Sequence, residues 1–129
     1  MSVGNDVVDL DDPEARQEGL HPRFDERVVR PQVRTLLERS DSPHVLRWAL
    51  WAAKESAYKA GKRLDPELAY SPSRFAVELF TLPTDGQRGV TAGRVVHRGG
   101  GFDLQIEVDG ARLHAVARSA RVTRGRLLW

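Results

Sequence analysis

The sequence predicts an α+β fold, an antiparallel sheet packed against a long central helix, and three observations carry that expectation. Residues 48–62, WALWAAKESAYKAGK, are rich in strong helix formers and meet no Pro or Gly before Gly61. An apolar stretch with strand character precedes them near the N-terminus. From about residue 74 onward, short alternating runs are separated by Asp-Gly and Gly-rich turns. A strand, then helices, then a meander is the α+β order. At 129 residues the chain is expected to be a single domain over 1–129, large enough for one core and too small for two.

Taken in order, residues 3–8 read as a strand with Val7 and Val8 beside Asp6. Side chains alternate along a strand, so Asp6 and Asp9 face opposite ways and share no ion unless the strand ends between them. Asp11-Asp12-Pro13-Glu14 reads as the cap and first turn of a short helix ending near Gly19, with Asp9, Asp11 and Asp12 as caps or solvated turn residues. From Pro22 to Arg39 the pattern is helical, broken at Pro31, with Phe24, Val28, Val33, Leu36 and Leu37 as the buried stripe. Ser42 offers an N-cap, Pro43 the first position of the central helix and Gly61 its stop. Asp65-Pro66 and Ser71-Pro72 mark a loop. Strands are expected at about 74–82, 90–98, 102–109 and 111–118, with turns at Asp85-Gly86, Gly99-Gly100-Gly101 and Asp109-Gly110. Phe102, Leu104, Ile106 and Val108 alternate cleanly and define one buried face.

Composition narrows the function. No cysteine occurs, which excludes disulfides and thiolate metal sites. No N-terminal signal pattern and no run of membrane-spanning length is seen, so a cytoplasmic location is the expectation. The net charge is only +2, but seventeen of the twenty basic residues are Arg. After Asp109 no acid follows, while Arg112, Arg118, Arg121, Arg124 and Arg126 do, a positive surface that attracts phosphates or an acidic protein.

The central helix has two unlike faces. Ala49, Ala53, Ala57 and Ala60 line one side, with Leu50 beside them; Trp48, Trp51, Glu55, Tyr58, Lys59 and Lys62 share the other. A surface helix usually segregates bulky apolar groups from charges. Here a carboxylate and two lysines share a stripe with aromatics, the pattern of a lined site. Asp6, inside an apolar strand, is costly to bury unless paired, and a hydrogen-bonded or Arg-paired structural aspartate is one reading of it. Glu55 has a similar alternative in an i,i+4 pair with Lys59. Two carboxylates from different elements, completed by water and phosphate oxygens, are also what Mg²⁺ requires.

The same residues carry a family resemblance. Trp51, Lys54, Glu55 and Lys59, as W-x-x-K-E and a lysine four residues on, resemble the second signature of the 4′-phosphopantetheinyl transferases. The stretch VGNDVVDL, from Val3 to Leu10, resembles the first, and Arg23-Phe24 and Arg27-Val28-Val29 resemble the Arg/Phe-rich middle. The resemblance spans roughly residues 3–80 and thins in the C-terminal third. It implies the 4′-phosphopantetheinyl transferase-like fold, Mg²⁺ held by Asp6 and Glu55 against the pyrophosphate of coenzyme A, and Lys59 on a phosphate oxygen. Lys62 and Lys54 are secondary phosphate candidates, although Lys54 points about 100° away from Glu55. A serine of an apo acyl or peptidyl carrier protein would attack the phosphate bearing pantetheine, releasing 3′,5′-adenosine diphosphate. The base would be Glu55 or a metal-bound water.

Surfactin-type relatives have a second acid two residues after the strand aspartate, where this chain has Val8. The chain therefore resembles the small holo-acyl carrier protein synthase type. Those synthases carry a Ser-His pair before an Ala-x-Ala strand; here Asp109-Gly110 occupies that region and His114 directly precedes Ala115-Val116-Ala117. His114 is thus either a shifted nucleotide contact or a satisfied strand histidine. His21, His44 and His97 lack metal-ligand spacing and read as structural or surface residues. Larger relatives look like two fused copies of this unit, so a homotrimer is expected, with a dimer as second choice, and neither a nucleic-acid nor a membrane partner. Two rival readings are a basic α+β nucleic-acid-binding domain and a non-catalytic carrier-binding relative. The first needs stacking aromatics, but Phe102 is the only one in the last two strands. The second conflicts with the intact Asp6, Glu55 and Lys59.

Overall fold

Five strands and one 22-residue helix form the body of the computed structural model. It describes residues 2–15, 23–29, 31–81, 89–98, 100–119, 122–123 and 126–127. In chain order these are β1 (Val3–Asp9), α1 (Phe24–Val28), α2 (Pro31–Arg39), α3 (Pro43–Leu64), a 3₁₀ turn at Pro72–Arg74, β2 (Ala76–Leu79), β3 (Gly89–His97), β4 (Gly100–Asp109) and β5 (Arg112–Ser119). Two short strands, β6 (Val122–Thr123) and β7 (Arg126–Leu127), pair with each other. The main sheet is antiparallel throughout, in the order β1-β5-β4-β3-β2. The N-terminal strand thus returns to lie at the edge, beside the last long one.

The predicted alternation of β4 is what the structure shows: Phe102, Leu104, Ile106 and Val108 are buried, with Leu113, Ala115 and Ala117 of β5 on the same side. Against them lies the alanine face of α3. Ala49, Ala53, Ala57 and Ala60 are fully buried, as are Ala52 and Ser56. Small side chains let the helix backbone approach the sheet, and Gly4 shows how closely. A Cβ added there would sit 2.1 Å from the Ser56 carbonyl oxygen and 2.6 Å from the Ala60 nitrogen. Ser2 and Ser56 satisfy their buried hydroxyls across the same seam, donating to the carbonyls of Ala60 and Ala115. A second apolar cluster, Val28, Val29, Leu37, Leu46 and Leu50, joins α1 and α2 to the far side of α3. There Arg47 holds Asp25 through both carboxylate oxygens, at 2.7 and 3.1 Å.

Four local expectations differ from the structure. Gly61 does not stop the helix, which continues to Leu64; Gly61 instead gives room to Leu68 and Phe102. Leu36 is exposed rather than in the buried stripe, because α2 offers α3 only the Val33 and Leu37 side. Residues 11–15 form turns, not a first helical turn: Asp9 and Asp12 carboxylates accept from the amides of Asp11 and Glu14, competing with helix formation. The remainder of that segment, 16–19, lies outside the described residues. Gly100 and Gly101 already belong to β4, and Arg98, at φ 51°, is the left-handed turn residue. The Asp85-Gly86 turn lies outside the described residues, whereas Asp109-Gly110 turns as predicted, with Gly110 at φ 59°.

Candidate functional site

Asp6 falls on the helix-facing side of β1, in phase with buried Gly4 and Val8. The close seating at Gly4 brings the second half of α3 across β1, and Lys59 closes the gap. Its ammonium donates to the Asn5 carbonyl at 3.0 Å and to Asp6 Oδ1 at 3.1 Å. Asp6 is 18% exposed in this pair and Lys59 49%, so the ion pair sits at the mouth of a site rather than inside the core. One helical turn earlier on the same stripe is Glu55, half-buried.

Burial pushes the Glu55 carboxyl above the usual carboxylate range, and the negative charge of Asp6 adds to the rise, while Lys59 opposes it. Glu55 thus lies within charge range of both Asp6 and Lys59, and the Tyr70 hydroxyl, as a hydrogen-bond donor, also favours its charged form. Among the described residues no cluster of three or more metal-ligating side chains occurs. Two carboxylate donors, with the remaining positions left to water or phosphate, fit a hard divalent cation such as Mg²⁺.

Beside this pair opens a cleft of about 340 Å³, lined by Asn5, Tyr58, Lys59, Lys62 and Arg63 among others. Its cations make it suited to an anion larger than a single carboxylate. Arg63 went unnoticed in the sequence because Gly61 was read as the end of the helix; continuing the helical period places it one turn beyond Lys59.

The other candidate residues have different placements. Lys62 lines the cleft while donating to the Leu68 carbonyl at 3.0 Å. Lys54 is 2% exposed and donates to the Pro72 carbonyl at 2.9 Å, so its charge is turned into the fold, away from Glu55. His114 stands opposite Val7 and Glu107 in the sheet, on the face turned away from α3, and the structure does not bring it to Asp6 and Glu55. Among the remaining histidines, His44 approaches the Leu10 carbonyl at 3.4 Å and His97 stacks on Phe75 at 4.4 Å, as befits structural roles. His21 lies outside the described residues.

One further residue had no signal in the sequence. Tyr70, in the loop after α3, stacks on Tyr58 at 4.7 Å and touches Trp51 at 6.2 Å. Burial, and next the charge of Glu55, push its phenol pKa far up, yet its buried hydroxyl meets hydrogen-bond geometry with no partner among the described residues. Glu55 lies close enough to act on it both by charge and as a hydrogen-bond acceptor, although the hydroxyl falls outside strict hydrogen-bond geometry.

Among the described residues no helix is long and apolar enough to cross a membrane. A family model of the 4′-phosphopantetheinyl transferase superfamily matches residues 2–109. No curated protein matches the chain.

Proposed function

Because the chain belongs to the 4′-phosphopantetheinyl transferase superfamily, we propose that it moves the 4′-phosphopantetheine group of coenzyme A onto a serine of an apo acyl or peptidyl carrier protein. The observation that carries this reading is the convergence of Asp6, Glu55 and Lys59 beside a cationic cleft. Asp6 and Glu55 would hold Mg²⁺, which when bound supplies positive charge to the pyrophosphate as charge builds on its leaving oxygen. Lys59 is anchored by Asn5 and Asp6, which leaves its ammonium at the rim where a phosphate oxygen would arrive. Lys62 and Arg63 extend that positive lining along the helix.

In the transfer the serine Oγ forms a bond to the phosphorus that bears pantetheine. The bond from that phosphorus to the bridging oxygen breaks, and 3′,5′-adenosine diphosphate departs with the electron pair. The serine gives up its proton, and its acceptor would be Glu55 or a water at the site. We take residues 1–129 to act as one domain and the working assembly to be a homotrimer, with a dimer as second choice. The Arg-rich segments at 23–34 and 112–126 would meet the acidic helix of a carrier protein.

The direct test mixes the protein with coenzyme A, Mg²⁺ and an apo carrier and weighs the carrier by mass spectrometry. A gain equal to phosphopantetheine supports the reading. An unmodified carrier, with coenzyme A nevertheless bound, would leave a non-catalytic carrier-binding relative.

A further inference from the structure

The loop between α3 and β2 is held at both ends by lysines from α3. Lys62 donates to the Leu68 carbonyl, and Lys54 donates to the Pro72 carbonyl. Asp65 adds local order, its carboxylate accepting from the Glu67 amide and its carbonyl from the Leu68 amide. Tyr70 lies between these two clamps. Its ring contacts Trp51 and Tyr58, which stand four residues before and three after Glu55 on α3, and also packs edge-on near Phe75 at 6.0 Å. Residues three and four apart on a helix are neighbours on one stripe, so a ring touching both Trp51 and Tyr58 lies over Glu55. Three rings fix the phenol, and its buried hydroxyl is close to Glu55 but outside strict hydrogen-bond geometry with it. A buried hydroxyl without a well-formed hydrogen bond is costly in a resting fold and needs a reason.

We propose that Tyr70 is a positioning residue for Glu55: its hydroxyl donates to the carboxylate oxygen left over when the other oxygen engages a divalent cation. The inference rests on the reading of Glu55 as a metal ligand. A carboxylate offers two oxygens and about four acceptor sites, so a cation on one oxygen leaves the other in need of a donor. Partners of this kind orient a ligand and tune its affinity without touching the metal. The arrangement also gives Lys54 and Lys62 a role in the site that does not require either to contact phosphate. They hold the loop that presents Tyr70.

Tyr70→Phe removes the hydroxyl and keeps the stacked ring. Mn²⁺, used in place of Mg²⁺, is titrated into the wild type, Tyr70→Phe and Glu55→Gln, with free Mn²⁺ read by electron paramagnetic resonance and a melting curve for each. Tyr70→Phe is expected to weaken Mn²⁺ binding by about tenfold. Its melting temperature should stay close to the wild type's, since the lost hydroxyl makes no well-formed hydrogen bond in the resting fold. Glu55→Gln should nearly abolish binding. Wild-type affinity in Tyr70→Phe, with binding lost in Glu55→Gln, would overturn the role of Tyr70 and leave the metal reading standing. A clearly lower melting temperature in Tyr70→Phe would make the hydroxyl part of the resting fold and also overturn it. Equal Mn²⁺ binding by the wild type and Glu55→Gln would overturn both readings.

Discussion

Along α3, Ala49, Ala53, Ala57 and Ala60 are sealed against the sheet, whereas Trp51, Glu55, Tyr58 and Lys59 on the opposite stripe stay partly open. The first face is uniform and small, because what it does is bring two backbones together. The second mixes rings and charges, and under the proposed function it is the face that meets a bound anion or cation. Lys54 sharpens the contrast: it sits one residue from Glu55, is almost fully buried, and spends its ammonium on a loop carbonyl. A lysine next to Glu55 in sequence is therefore turned to a loop carbonyl, while Lys59, a turn beyond Glu55, reaches Asp6.

The largest effect should come from Glu55→Gln. If the open face is chemical, turnover should fall by roughly 10²- to 10³-fold or more, because phosphoryl-type transfer depends on metal and cationic groups. Stability should hold or rise slightly, since a half-buried carboxylate has been neutralised. Asp6→Asn should match it in turnover, with a small extra loss from its ion pair to Lys59, worth at most about 1 kcal/mol at a half-exposed site. The double variant should be little worse than either single one. Turnover across a Mg²⁺ titration, beside melting curves, checks this; two modest, additive losses would return both acids to structural roles.

On the sealed face the expected sign reverses. Gly4→Ala forces a methyl against the Ser56 carbonyl and should lower stability by about 1–3 kcal/mol, as overpacking does. Denaturant titration reads it directly. An unchanged midpoint would mean that β1 and α3 are not so closely seated in solution.

A smaller effect is expected at the arginines proposed to meet the carrier. Charge reversal at Arg23 and Arg27 should raise the KM for the carrier by about tenfold and increase its salt sensitivity, with the KM for coenzyme A unchanged. Equal losses for both substrates would assign these arginines to the nucleotide site or to the fold.

The smallest effect concerns His97, stacked on Phe75, which in turn packs edge-on against Tyr58 and Tyr70. Burial, with Arg98 and Arg74 nearby, lowers its pKa below 6.5, so the folded state prefers the neutral ring. Its contribution to stability is present above pH 6.5 and is lost as pH falls through the folded value. His97→Phe keeps the stack and should flatten the acid side of the stability profile; an unaltered slope between about pH 7 and 5 would dismiss the effect.

Several of these residues were legible before any coordinates. The alternation of Phe102 to Val108 and the small face of α3 follow from periodicity, which burial enforces locally. Asp6, Glu55 and Lys59 stand out because charges in apolar surroundings are costly without a purpose. Gly61 misled, since a glycine that ends a helix and one that makes room for Leu68 look the same in sequence.

What the sequence determined by itself is therefore local: which segments are strand or helix, which face of each is apolar, and which residue types have the chemistry of a phosphate or metal site. What the tertiary structure decided is partnership. That Gly4 meets Ser56, that Lys59 reaches Asp6 from more than fifty residues away, that Lys54 turns inward to Pro72, and that Tyr70 covers Glu55 all depend on distances between elements. The physical reason is that periodicity records only whether a side chain faces water or protein. The group it meets there is set by how the helix seats on the sheet and where the following loop is clamped, and no spacing along the chain encodes either.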